Sequence, residues 1–74
     1  MHEIGIIEEL VEKIKEYEIE NNRKAKRVKI GFGRCEELTE ENIHFLFKTL
    51  CPDILLEIEA CDLDGVYLKS IELE

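Results

Sequence analysis

The chain has 74 residues and a net charge of −8, with 18 acidic against 10 basic side chains. That excess of acid argues against general nucleic-acid binding. No apolar run approaches the roughly 20 residues that cross a bilayer. Acids at Glu3, Glu8 and Glu9 interrupt any basic-then-apolar export signal. A single domain over residues 1–74 is therefore expected, cytoplasmic, with neither nucleic acid nor membrane as partner. Apolar residues make up 45% of the chain, enough for a small core, and 38% charged residues clothe it. Cys35, Cys51 and Cys61 are odd in number and lack C-x-x-C spacing, so no zinc ribbon is encoded and reduced thiols are expected.

The chain opens on Met1-His2-Glu3. A free Met1 amine, the deprotonated His2 amide and a His2 imidazole nitrogen can close two chelate rings in one plane. Glu3 can add a carboxylate or another backbone nitrogen. Planar nitrogen donation suits Ni(II) or Cu(II) better than tetrahedral Zn(II). The alternative is an ordinary start, with Glu3 serving as an acid at a helix N-terminus.

Residues 4 to about 20 predict an amphipathic helix. Ile4, Ile7, Leu10, Val11, Ile14 and Tyr17 share one stripe, with Ile6 at its edge. Gly5 is a weak helix residue that either permits a close approach or leaves the N-terminus loose. Asn21-Asn22 is the expected stop.

Arg23, Lys24, Lys26, Arg27, Lys29 and Arg34 then form a basic block without an intervening acid. It serves either surface charge balance or an acidic docking partner. Inside it, Val28, Ile30 and Phe32 alternate with Arg27, Lys29 and Gly31, the pattern of a strand with one buried face. Thr39 reads as the N-cap of a second helix, with Glu40 and Glu41 in its first turn. Ile43, Leu46, Phe47 and Leu50 form its apolar stripe, and Pro52 bars its continuation. Phe45 and His44 lie off the stripe. Phe45 faces solvent or a partner, and His44 reads as a surface residue.

Residues 54–59 predict a second strand, with Ile54, Leu56 and Ile58 on one face and Leu55, Glu57 and Glu59 on the other. Asp62-Leu63-Asp64-Gly65 is turn chemistry. Residues 66–73 predict a third strand of disturbed period: Val66 and Leu68 share one face, Ile71 and Leu73 the other. A bulge near Lys69-Ser70 would bring both pairs to one side. No nucleophile–base pair stands out, so catalysis is not expected.

These elements predict an α+β fold, a two-layer α-β-α-β-β sandwich. Its three-stranded sheet carries both helices on one face, and the last two strands form an antiparallel hairpin. The pattern does not select the central strand. The open face, with Leu55, leaves room for a homodimer.

The same order, begun by Met1-His2-Glu3, resembles the HypA nickel-insertion proteins of hydrogenase and urease maturation. The resemblance runs through Ala25-Lys26-Arg27-Val28, Ile30-Gly31-Phe32-Gly33 and Phe45-Leu46-Phe47. It continues through Leu56-Glu57-Ile58-Glu59 to the ending Tyr67-Leu68-Lys69-Ser70-Ile71-Glu72-Leu73-Glu74. It implies a nickel metallochaperone with Met1, His2 and Glu3 at the metal. The implied partners are a nickel-handling GTPase of the HypB type and a hydrogenase large subunit. Arg23, Lys24 and Phe45 are the candidate partner contacts. One departure is large. Family members carry a zinc domain with paired C-x-x-C motifs between the last two strands, where this chain has only Cys61-Asp62-Leu63-Asp64-Gly65. No zinc is expected. A non-metal adaptor on the same scaffold is the other reading.

Overall fold

The computed structural model describes residues 3–35 and 38–74, with the backbone alone for Glu3 and Ile4. Helix α1 spans Glu3–Asn21, strand β1 Ala25–Phe32, helix α2 Glu40–Leu50, strand β2 Leu55–Ala60 and strand β3 Val66–Leu73. The α-β-α-β-β order and the α+β class are those the sequence predicts.

Asn22 ends α1 in the left-handed region, with φ of 52°. Its N–H donates to the Ile19 carbonyl, and the Arg23 N–H donates to the Glu18 carbonyl at 3.2 Å. This pair of bonds satisfies carbonyls the helix would otherwise orphan. The Glu18 carboxylate accepts the Ala25 N–H at 2.7 Å, tying the end of α1 to the first residue of β1. At α2, the Thr39 hydroxyl accepts the Asn42 N–H, and Glu40 and Glu41 occupy the first turn. The Cys51 N–H closes the helix on the Phe47 carbonyl, and Pro52 follows.

The core gathers Ile7, Leu10, Val11 and Ile14 from α1, Ile43 and Phe47 from α2, and Ala25, Val28 and Ile30 from β1. Two details depart from the helical stripes. Tyr17 is 42% exposed, because α1 there reaches the flank of the sheet beside Leu68 and Ile71. Leu50 is partly exposed and turns toward Val11 and Lys15 of α1. Leu38, which carries no periodic signal, enters the core from the loop ahead of α2. Among the described residues, nothing stands where a Cβ on Gly5 would lie, so the close approach the sequence allowed is not made to any of them.

The predicted hairpin of the last two strands is not formed. The strand order is β2-β1-β3, so β2 and β3 occupy opposite edges and β1 is central. β1 pairs with β2 in parallel and with β3 antiparallel. The first relation follows from the connection: a strand, a crossover helix and a second strand return in the same direction. β3 then pairs on the free side of β1. Residues 61–65 cross the end of β1 to reach that side, a span of about 10 Å for two strand spacings, within the reach of five residues. The crossing is held by three backbone bonds: Cys61 N–H to Phe32 carbonyl, Gly33 N–H to Gly65 carbonyl, and Gly65 N–H to Arg34 carbonyl. Gly65 has φ of 107°, a conformation that favours glycine. Asp64-Gly65 is therefore a turn, as its chemistry suggests, but it turns the chain over β1.

The predicted bulge in β3 is present. Lys29 faces Ser70 and Ile30 faces Leu68, which leaves Lys69 as the extra residue. Val66, Leu68, Ile71 and Leu73 consequently all turn toward the helices and are half-buried.

Candidate metal centre and its surroundings

Of the three expected metal donors, Met1 and His2 lie outside the described residues. Glu3 begins α1. His44 is exposed on α2, on the flank that faces β2. Among the described residues, no three His, Cys, Asp or Glu side chains come together in a way that could hold a metal ion.

Cys51 is buried at the C-terminus of α2. Burial pushes its thiol up from the ordinary value; Lys15 draws it back by less, and Glu18 adds to the rise. A zinc ligand must be a thiolate, which that setting disfavours. Cys61 stands on the opposite side of the sheet, its Cβ close to Gly31 and near the Lys69 stem.

The basic block divides by position. Arg27 and Lys29 belong to an ion-pair lattice across the open face of the sheet. The Arg27 guanidinium lies 3.3 Å from Glu57 on β2 and 3.7 Å from Glu72 on β3. The Lys29 ammonium lies 4.0 Å from Glu57 and 3.8 Å from Glu59, and Lys69 approaches Glu59 from β3 at 3.5 Å. Every partner is about half-exposed, so each pair contributes modestly. Alternation along the strands puts these charges on one face, and the central place of β1 lets its bases reach carboxylates on both sides.

Arg23 and Lys24 sit elsewhere, in the turn between α1 and β1. They line an open concavity of about 510 Å³ together with Glu18, Ile19, Asn22 and Glu74. The Glu74 N–H donates to the Lys24 carbonyl at 2.8 Å, which brings the end of β3 to this turn. Phe45 is 71% exposed on the outer side of α2 and does not line that concavity. The structure thus separates the three candidate partner contacts into two places.

A further concavity, of about 460 Å³, runs between α2 and β2. Sequence reasoning did not single it out. Its walls come from residues whose nearness depends on α2 crossing over β2.

The comparisons with known proteins bear on this arrangement. A family model described as hydrogenase/urease nickel incorporation, metallochaperone, hypA matches residues 1–70. Among solved structures, the solution structure of the Ni metallochaperone HypA from Helicobacter pylori shares the fold, with a TM-score of 0.69 at 23% identity. That similarity covers 95% of this chain and 72% of the other. No curated protein matches the chain. No helix among the described residues is long and apolar enough to cross a membrane. With the family model reaching from Met1 to Ser70, through both helices and into the last strand, the chain belongs to the HypA family of nickel-incorporation metallochaperones, proteins that carry metal and are not enzymes.

Proposed function

We propose that this chain is a cytoplasmic carrier that holds one Ni(II) at Met1, His2 and Glu3 and delivers it during maturation of a nickel enzyme such as nickel–iron hydrogenase. The observation that carries the reading is the family match, which includes residues 1–3. The start of α1 at Glu3 supports it. The first amides of a helix lack intrahelical acceptors, so the His2 amide is not required by the helix and is available for deprotonation. A deprotonated amide also offsets the unfavourable meeting of a cation with the positive helix end. The Met1 amine, the His2 amide and the His2 imidazole supply three planar nitrogens. Glu3, water or a partner supplies the fourth position. A site left partly open binds nickel less tightly than a closed one and releases it more readily, which suits a carrier.

The proposed partners are a HypB-type GTPase and the hydrogenase large subunit. Arg23 and Lys24 offer one contact to an acidic partner surface and Phe45 another. The role of Arg23 and Lys24 weakens as salt screens it.

The test is titration of untagged protein with Ni(II), followed by the visible absorption of planar nickel. One ion per chain is expected. Binding is expected to disappear with His2→Ala or with one Gly added before Met1, and to persist with His44→Ala. Affinity should fall as pH drops, because amine, amide and imidazole must all lose protons. Unchanged binding after extension of the N-terminus would move the site away from Met1. Undiminished nickel transfer by His2→Ala would leave the scaffold as an adaptor without a metal role.

A further inference from the structure

Strand β2 is an edge strand: among the described residues, the order β2-β1-β3 pairs it on one side alone. Alternate residues of its backbone therefore leave their N–H and C=O groups unpaired along the other side. Of the devices that blunt such an edge, β2 carries charge, as Glu57 and Glu59, but not the lysine, proline or bulge that most directly block pairing. Beside this edge lies the groove under α2. His44 and Lys48 form its helical wall, with Phe47, Pro52, Ile54 and Leu56 beneath them. The groove adjoins the start of β2, at Ile54, Leu55 and Leu56, and the free edge continues from there along the strand.

Charge decides what fits there. On the open face, β2 presents Leu55, which is 63% exposed, then Glu57 and Glu59. On the other face, Leu56 and Ile58 turn toward the helices and are half-buried. From the inner side, β1 satisfies this pattern with Arg27 and Lys29 toward the carboxylates and Val28 and Ile30 toward the core. Each carboxylate can accept about four hydrogen bonds, and the Glu57 and Glu59 side chains remain 46% and 50% exposed.

A second copy of β2 meets like charge in the registers centred on the middle of the strand. In an antiparallel pair, residues directly opposite one another lie on the same face. A two-fold register centred on Glu57 sets that carboxylate against itself, and one centred on Ile58 sets Glu57 against Glu59. Like charges directly opposite are destabilising.

We infer that the free edge of β2, with the groove under α2, docks an extended segment of a partner protein in which Lys or Arg residues alternate with apolar ones. The segment adds a fourth strand to the sheet by main-chain bonds. Its bases face Glu57 and Glu59, and its apolar residues continue the layer of Leu56 and Ile58 into the groove. This docking does not depend on nickel at the N-terminus.

The test uses the full metal-free chain at low salt. Two eight-residue synthetic peptides are added at millimolar concentration, one alternating Lys with Val and one alternating Glu with Val. Amide resonances and hydrogen exchange are followed. The Lys peptide is expected to slow exchange of the β2 edge amides about tenfold, the protection given by about 90% occupancy, and to shift the His44 and Lys48 signals. The Glu peptide is expected to do neither. Glu57→Lys with Glu59→Lys should reverse the preference. Where that double variant does not fold, Glu59→Gln should weaken the Lys peptide by about threefold, the effect of one cross-strand charge pair. Equal effects of the two peptides, protection confined to β3, absence of binding, or a concentration-dependent dimer through β2 would each overturn the inference.

Discussion

The Leu63 carbonyl fills the space in which a Cβ on Gly33 would stand. The Cys61 carbonyl also comes within 3.1 Å of that position. Both belong to the segment that carries the chain from β2, over the end of β1, to β3. Gly33 is thus the place where the fold needs the absence of a side chain, since the obstacle is backbone and cannot turn aside.

Gly33→Ala should destabilise the protein by about 2 kcal/mol, in the range of overpacking at a rigid site. The urea midpoint should fall with the slope unchanged. Gly31→Ala is the control. A Cβ there meets the Lys69 stem at 3.2 Å, a flexible group that can yield, so its cost should be smaller.

The two helix starts should respond with opposite sign. Gly5→Ala places a methyl where none of the described residues stands and should stabilise α1 by roughly 0.5 kcal/mol, at the low end for a glycine so near the helix start. Thr39→Ala removes the acceptor of the Asn42 N–H and should cost about 1 kcal/mol. Thermal melts of both variants beside the parent provide the check, with Tm rising for the first and falling for the second.

Arg27 joins three strands through Glu57 and Glu72, but on a half-exposed face. Arg27→Ala should therefore cost about 1 kcal/mol or less, and less again at high salt. Urea unfolding at low and at 0.5 M salt, an ionic strength of order that leaves about 4 Å of screening length, would show the difference. A large, salt-independent loss would mean that the Arg27 stem matters by packing.

Cys51 should alkylate far more slowly than Cys35 and Cys61, which are half-buried rather than buried. Its thiol is raised in the folded protein, mainly by burial. A raised acid is favoured in its neutral form. Its contribution to stability is thus present below the unfolded thiol value of about 8.5 and is lost as pH rises through the folded value. Timed labelling under native conditions at pH 8, and unfolding followed from pH 8 to 10 (either side of the unfolded value), test both halves. Labelling of Cys51 as fast as the others would place its thiol outside the core.

Local chemistry decided the elements and their ends. The spacing of Ile7, Leu10, Val11 and Ile14, the stop at Asn22, the cap at Thr39 and the barrier at Pro52 each act within a few neighbouring residues. The phase slip between Leu68 and Ile71 likewise announced the bulge at Lys69, since a strand buries one face only by keeping its period. The donor set of Met1 and His2 was legible as chemistry, while its placement lies outside the described residues. Tertiary structure alone decided that β1 is central, and with it the fate of the last two strands. Asp64-Gly65 turns the chain equally well in a hairpin or in a crossing, so local preference could not choose. The choice came from burial across the whole domain layer: β1 sends Ala25, Val28 and Ile30 into the core, and only a strand paired on both sides is covered so completely. That same placement gave Arg27 and Lys29 their carboxylates and left β2 with a free edge, because strand pairing joins residues far apart in the chain whose alternation alone names no partner.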